Sequence, residues 1–182
     1  MMGYLGNQIT TVFPTSISVD TATIATANIS NQLTDANMAS GSVIQVVSGS
    51  TSTQVNVAST TLTDTGLTAS ITPSSTSSKI LIIISQSIGS DRDTTVGSVG
   101  LQLLRGSTNI QSQTYMAFIE AGGASAVKNI GAWAITHLDS PSTTSSTTYK
   151  TQGNINATSS NGTARFQWDS GVSHITLMEI SA

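Results

Sequence analysis

The sequence predicts an all-β fold: an antiparallel β-sandwich, jelly-roll-like, preceded by an extended N-terminal arm or short trimeric shaft. Three observations carry this. From residue 42 onward, short runs with two-residue apolar alternation recur at near-regular spacing, separated by Gly, Ser, Asn and Asp clusters. Thr, Val and Ile, which suit a pleated, half-buried surface, dominate those runs. No helical periodicity competes with them in 42–182.

Ser42 to Val47, with Val43, Ile44, Val46 and Val47, is the first predicted strand. Gln54 to Ala58 places Val55 and Val57 on one face. Leu67 to Thr72 alternates through Ala69 and Ile71 and stops at Pro73, which cannot donate to a ladder. Lys79 to Gly89 is apolar on both faces, the pattern of a central strand. Val99 to Arg105 and Ile110 to Ala117 flank the turn 105–109. Asn129 to Leu138 contains Trp133 and ends at Asp139-Ser140-Pro141. Thr147 to Ala157 precedes the turn Ser159-Ser160-Asn161-Gly162. Ala164, Phe166 and Trp168 alternate with Arg165 and Gln167, so both Trp133 and Trp168 are assigned to the core. The closing strand, Ser173 to Ala182, sends Ile175 and Leu177 one way and Met178 and Ile180 the other. That split predicts that one side faces the subunit's own core and the other a neighbouring subunit. Glu179, in phase with the core side, strains the assignment.

Residues 1–41 form the arm and 42–182 the sandwich domain. In the arm, Val19, Ile24 and Ile29 stand five residues apart, followed by Leu33 and Met38, with small or polar residues between. One apolar residue in five is too sparse to bury an element alone, but three chains about a shared axis would bury it. The expected trimer interface is therefore Val19, Ile24, Ile29, Leu33, Met38, Met178 and Ile180.

Composition excludes several functions. Only 8% of residues are charged and the net charge is -3. The six basic residues are scattered singly, so binding nucleic acid through counterion release is not expected. No cysteine is present, which removes disulfides and thiolate metal sites. Residues 1–14 lack the charged and apolar regions of a signal peptide, and the longest apolar run, Ile80 to Ile84, is far short of a membrane span of about 20 residues. Export by a cleaved signal and membrane insertion are not expected.

Chemistry-bearing constellations are thin. Asp91-Arg92-Asp93 lacks the spacing of a calcium loop, and its arginine opposes a dication, so a solvated loop with a local ion pair is expected. His137, Asp139 and abundant serines could be drawn as a triad, but no Gly-x-Ser-x-Gly elbow exposes a nucleophile. His174 opens the last strand near any symmetry axis and is expected as a rim histidine rather than a metal ligand. Glu120 and Glu179 are too isolated to suggest a glycosidase pair. Asn28, Asn156 and Asn161 head Asn-x-Ser/Thr triplets, as chance provides in so hydroxyl-rich a chain. No catalytic residue, cofactor or metal is predicted. Tyr115 and Phe118 beside Gly122-Gly123, and Tyr149 after the Ser/Thr-rich loop 140–148, are the candidate receptor-contact residues, because aromatics on loops can stack sugar rings.

Four segments and the N-terminus carry a resemblance. They are Thr65-Gly66-Leu67-Thr68-Ala69-Ser70-Ile71-Thr72-Pro73 continuing to Lys79-Ile80-Leu81, Leu104-Arg105-Gly106-Ser107-Thr108-Asn109-Ile110, the stretch Leu138 to Lys150, and Ile175-Thr176-Leu177-Met178-Glu179-Ile180. With the opening Met2-Gly3-Tyr4-Leu5-Gly6-Asn7, they resemble small virion proteins of tailed bacteriophages, common in marine phages. The likeness covers most of 42–182. It implies a non-enzymatic, trimeric structural protein of the phage particle, synthesised in the host cytoplasm. Two roles fit: a fibre-type component of the adsorption apparatus touching the host surface, or a capsid decoration protein. The implied partners are other copies, a tail adaptor, baseplate or major capsid protein held through the arm, and a host-surface glycan or protein.

Overall fold

The structure is a computed structural model in which residues 38–92, 97–119, 127–157 and 162–182 are described. Ten strands appear in chain order: β1 Val43–Thr51, β2 Val55–Val57, β3 Thr63–Ile71, β4 Lys79–Arg92, β5 Gly97–Arg105, β6 Thr108–Ile119, β7 Val127–Asp139, β8 Thr147–Ala157, β9 Gly162–Phe166 and β10 Ser173–Ile180. Each matches a run predicted from alternation, and the all-β sandwich prediction holds.

The strands pair as one rolled hairpin. β1 lies against β10, β2 against β9, β3 against β8, β4 against β7 and β5 against β6, all antiparallel. Three further pairings, β10 with β4, β4 with β9 and β5 with β8, close the roll. The result is sheet A, in which β4 is shared along one edge by β10 and β9 and along the other by β7, and sheet B, ordered β3-β8-β5-β6. Without the short β2 and β9, sheet A reads β1-β10-β4-β7, and with sheet B this is the order of a double Greek-key jelly roll.

Alternation fills the space between the sheets. Ile80, Ile82, Ile84 and Ile88 from β4, Ile175 and Leu177 from β10, and Leu101 and Leu103 from β5 are all buried, together with Trp133 and Phe166. Each such side chain contributes about 1.5–3 kcal/mol by leaving water. Ile175 and Leu177 thus face the core as the sequence predicts. Gly153 on β8 has to be glycine because the Phe166 ring occupies the place of its Cβ.

Polar side chains also lie in this core. Gln86, Thr65, Thr151, Gln167 and Ser173 are fully buried. Gln86 Nε2 donates to Thr65 Oγ1 at 2.8 Å, and the Thr65 and Thr151 hydroxyls are 2.5 Å apart. Gln167 directs its amide nitrogen to the carbonyls of Phe166, Thr65 and Thr53 at 3.2, 3.1 and 3.2 Å. Its oxygen accepts from Gln86 Nε2 at 3.3 Å and from Ser173 Oγ at 2.8 Å. Because Gln86 belongs to sheet A and Thr65 and Thr151 to sheet B, the network ties the two sheets.

At the opposite end of β4, one cross-strand row reads Glu179–Ile80–Asp139. Directly paired residues share a face, so both carboxylates point inward and flank a buried isoleucine. Each is held separately. Asp139 receives Arg105 Nη1 on both oxygens at 2.9 Å and the Tyr149 hydroxyl at 2.7 Å. This joins β7 of sheet A to β5 and β8 of sheet B. Burial, then the Asp139 carboxylate, raise the Tyr149 pKa, so the phenol remains a donor. Glu179 Oε2 accepts from Gln45 Nε2 at 2.5 Å, and Oε1 from the Ser74 backbone N–H and hydroxyl at 2.7 and 2.6 Å. Burial works against its ionisation, but the hydrogen bonds from Gln45 and Ser74 outweigh it and hold the pKa below its usual value.

Two predictions follow from this packing. Gly153→Ala drives a methyl into the Phe166 ring and should lower stability by about 1–3 kcal/mol, measured as a shift in denaturant midpoint. For Glu179, the depressed folded pKa means its stabilisation is present above the ordinary value of 4.5 and is lost as pH falls through the folded value. Urea midpoints measured between pH 7 and pH 3 should therefore drop on acidification. Glu179→Gln should flatten that drop while costing about 1–3 kcal/mol at pH 7, since an amide presents a donor to Gln45 and Ser74.

Candidate interaction surfaces on the outer face of sheet A

The outer faces of the two sheets differ in chemistry. Sheet B carries a polar ladder: Lys150 Nζ and Gln152 Nε2 donate to Asp64 at 2.9 and 2.6 Å, Gln102 Nε2 donates to Gln152 Oε1 at 2.9 Å, and Asn109 Nδ2 donates to Gln102 Oε1 at 2.8 Å. The hydrogen bond and charge of Lys150 outweigh partial burial and lower the Asp64 pKa. Sheet A has no such ladder at its base, the end where β4 begins and β10 finishes. There the register aligns Val46, Met178, Leu81 and Leu138 in one row across β1, β10, β4 and β7. Val46 is 56% exposed and Leu138 52%. The row toward the chain entry pairs Val43 with Ile180, and the row on the other side contains Ile83. Inward Ile80 and Ile82 alternate with outward Leu81 and Ile83, so β4 is the two-sided strand predicted, and among the described residues no element packs on its outer apolar side.

The chain enters the sandwich at this same base. The Gly41 N–H donates to the Ser181 carbonyl at 2.9 Å, and the Ser181 N–H to the Ser42 carbonyl at 2.9 Å. Ser181 Oγ also donates to the Ala39 carbonyl at 2.7 Å. Residues 39–42 are thereby clasped to the end of β10.

The distal end of the outer face carries a different feature. After Phe166 the chain leaves β9 through Gln167, Asp169 and Ser170, non-glycine residues with φ of 54°, 53° and 63°. A left-handed residue with a Cβ costs about 1–2 kcal/mol, and buried Gln167 supplies the hydrogen bonds that hold the turn. This geometry corrects the assignment of Trp168 to the core. Strand alternation breaks at Gln167, and Trp168 is turned onto the outside of sheet A, against Gly89, where the ring occupies the place of a Cβ. Arg165 and Lys128 lie 5.0 and 5.7 Å from its ring centroid. Arg165 is itself paired with Asp91 through Nε and Nη2, and its Nη1 donates to Asn56 Oδ1 at 3.1 Å. Trp133, in contrast, is core as predicted and donates from Nε1 to Gln113 Oε1 at 3.0 Å.

The remaining sequence candidates sort as follows. Tyr149 is corrected: it lies in β8, not on a loop, and is fully buried with its hydroxyl on Asp139, so it cannot contact a receptor. Tyr115 and Phe118 fall in β6, and their side chains lie outside what is described. Val19, Ile24, Ile29, Leu33 and Glu120 lie outside the described residues, while Met38 is half-buried where description begins. Met178 and Ile180 are half-buried and outward. Asp91 is not on a loop in a local pair with Arg92; it lies within β4 and forms an ion pair with Arg165 of β9. His137 is half-buried in the row Leu177–Ile82–His137, and Asp139 is taken by Arg105 and Tyr149, so the two form no relay. His174 is exposed on the outer face. Among the described residues no group of three or more His, Asp or Glu side chains could hold a metal, and no helix is long and apolar enough to cross a membrane.

No protein-family profile matches the chain, and no curated protein matches it. Among solved structures it is similar to the infectious bursal disease virus T13 particle, with a TM-score of 0.34 and 10% identity over 78% of this chain and 37% of that chain. It is also similar to the VP2 subviral particle of the same virus, with a TM-score of 0.32 and 9% identity over 75% of this chain and 38% of that one. A third such structure, from the Gx strain, gives a TM-score of 0.33 and 10% identity. The chain spans between 37% and 38% of the length of these neighbours.

The strained turn yields a prediction of unusual sign. Ser170→Gly relieves a left-handed Cβ and should raise stability by about 0.5–1 kcal/mol. Trp168→Ala should lower it by about 1–3 kcal/mol through lost packing and two lost cation contacts. Gly89→Ala should displace the ring and shift the tryptophan emission, with Trp133 unaffected.

Proposed function

We propose that the chain is a non-enzymatic structural protein of a phage particle: a homotrimeric, fibre-type component of the adsorption apparatus. One observation carries the reading, the polarity of sheet A. Its base holds the clasp where residues 39–42 meet Ser181 and an outward apolar set including Met178 and Ile180. Its far end presents Trp168 on a turn held by a buried network, with Lys128 of β7 beside the ring. A subunit anchored at one end and exposed at the other suits attachment through the arm and contact with a host surface through the distal end. The low charge and hydroxyl-rich surface, and the resemblance to small phage virion proteins, support the same reading. A capsid decoration protein is the second reading; its arm would staple neighbouring capsomers.

Counting copies per particle by quantitative mass spectrometry separates the two. A few tens or fewer are expected for the fibre, and hundreds would end that reading. A chain truncated to 42–182 should still fold, because the described core lies within it, yet should no longer join particles.

A further inference from the structure

We infer that the base of the outer face of sheet A is a contact surface between copies of this chain, a step that rests only on the homo-oligomeric part of the reading above. The register defines the surface. Its central row is Val46–Met178–Leu81–Leu138, bordered by Val43 and Ile180 on one side and Ile83 on the other. Val43, Val46, Ile83 and Leu138 are between 39% and 56% exposed. Scattered apolar residues on a surface are ordinary, but a row spanning four adjacent strands is a patch that needs a partner.

Size and charge identify that partner. From the row of Lys79 to the row of Ser85 the face is four rows long, four strands wide in the rows of Leu81, Ile83 and Ser85 and three strands wide at Lys79. At about 4.8 Å between strands and about 6.8 Å between rows on one face, this is roughly 500 Å² before side-chain relief. That is of the order of the ≈ 800 Å² each partner gives to a standard interface. Across these rows, Lys79 is the one Lys, Arg, Asp or Glu side chain among the described residues, and His174 the one histidine. A second copy therefore meets no set of opposing like charges, whereas a partner selected by charge would find nothing to pair with. The rows beyond the apolar one carry Ser48, Thr176, Thr136, Ser50 and Ser85, small hydroxyls that let another sheet approach closely. Among the described residues, sheet B, with its bonded polar ladder, offers no comparable face. Closed symmetric association of identical chains is the common way such a face is covered.

The test is sedimentation equilibrium on the full chain between 1 and 50 micromolar (roughly the range in which a standard-size interface is populated), for wild type, Val46→Gln/Leu138→Gln and Ile130→Gln. Ile130, 62% exposed on the same face at its far end, is the control. Wild type is expected to be oligomeric, the double variant to dissociate with a dissociation constant raised at least tenfold, and Ile130→Gln to behave as wild type. Leu138→Gln alone serves if the double variant loses its circular dichroism spectrum. A monomeric wild type overturns both the homo-oligomer and this surface. An oligomer that the double variant leaves intact, or that Ile130→Gln weakens equally, overturns the surface alone. The choice between fibre and decoration protein rests separately on the copy count.

Discussion

The rest of the structure depends on the hydrogen bonds that a buried glutamine pair makes between the two sheets. Gln86 and Gln167 sit buried between the sheets, where each unmade hydrogen bond costs about 1–3 kcal/mol. Thr65 and Thr151 from sheet B, and Ser173 from β10, complete the set only in the observed register. A slip of one residue along β4 would turn Gln86 outward and bring Ser85 or Ser87 inward, losing the bridge to Thr65. The network thus selects one alignment among the many that a Val, Ile and Thr pattern would tolerate. The Arg105–Asp139–Tyr149 group and the Glu179 group do the same at the base.

Rolling the chain as nested pairs has consequences for assembly. Because β1 pairs β10, the first and last strands lie side by side and the clasp at Ser181 holds residues 39–42 at the end of β10. The same pairing places the outward residues of β10 next to those of β1 and β4, so single apolar residues distant in sequence become one row. Function and fold are joined here by geometry, since a jelly roll by itself specifies none. The inner polar groups define the register, and the register defines what the outside displays.

The distal end shows the same dependence from another direction. Gln167 is both a member of the core network and the first left-handed residue of the turn that lays Trp168 over Gly89. Backbone strain is tolerated where surrounding bonds over-determine it. The buried amide provides those bonds, and the half-buried ring with its two flanking cations is the result.

Much of this was legible in the residues. All ten strands follow from alternation and turn chemistry, and the inward phase of Ile175 and Leu177 and outward phase of Met178 and Ile180 follow from a period of two. Trp168 misled because no glycine marks the break at Gln167, and the alternation Ala164, Phe166, Trp168 runs through it unaltered. Tyr149 misled because a hydroxyl-rich neighbourhood suggests a loop, whereas its partner Asp139, ten residues earlier, becomes visible only when β7 and β8 stand in opposite sheets. Local pattern by itself determined the strands and the faces they turn, because a side chain's direction along a strand is a local property. Which faces meet, which carboxylate finds an arginine, and which apolar residues align into a row were decided by tertiary structure, because they depend on register between strands far apart in the chain.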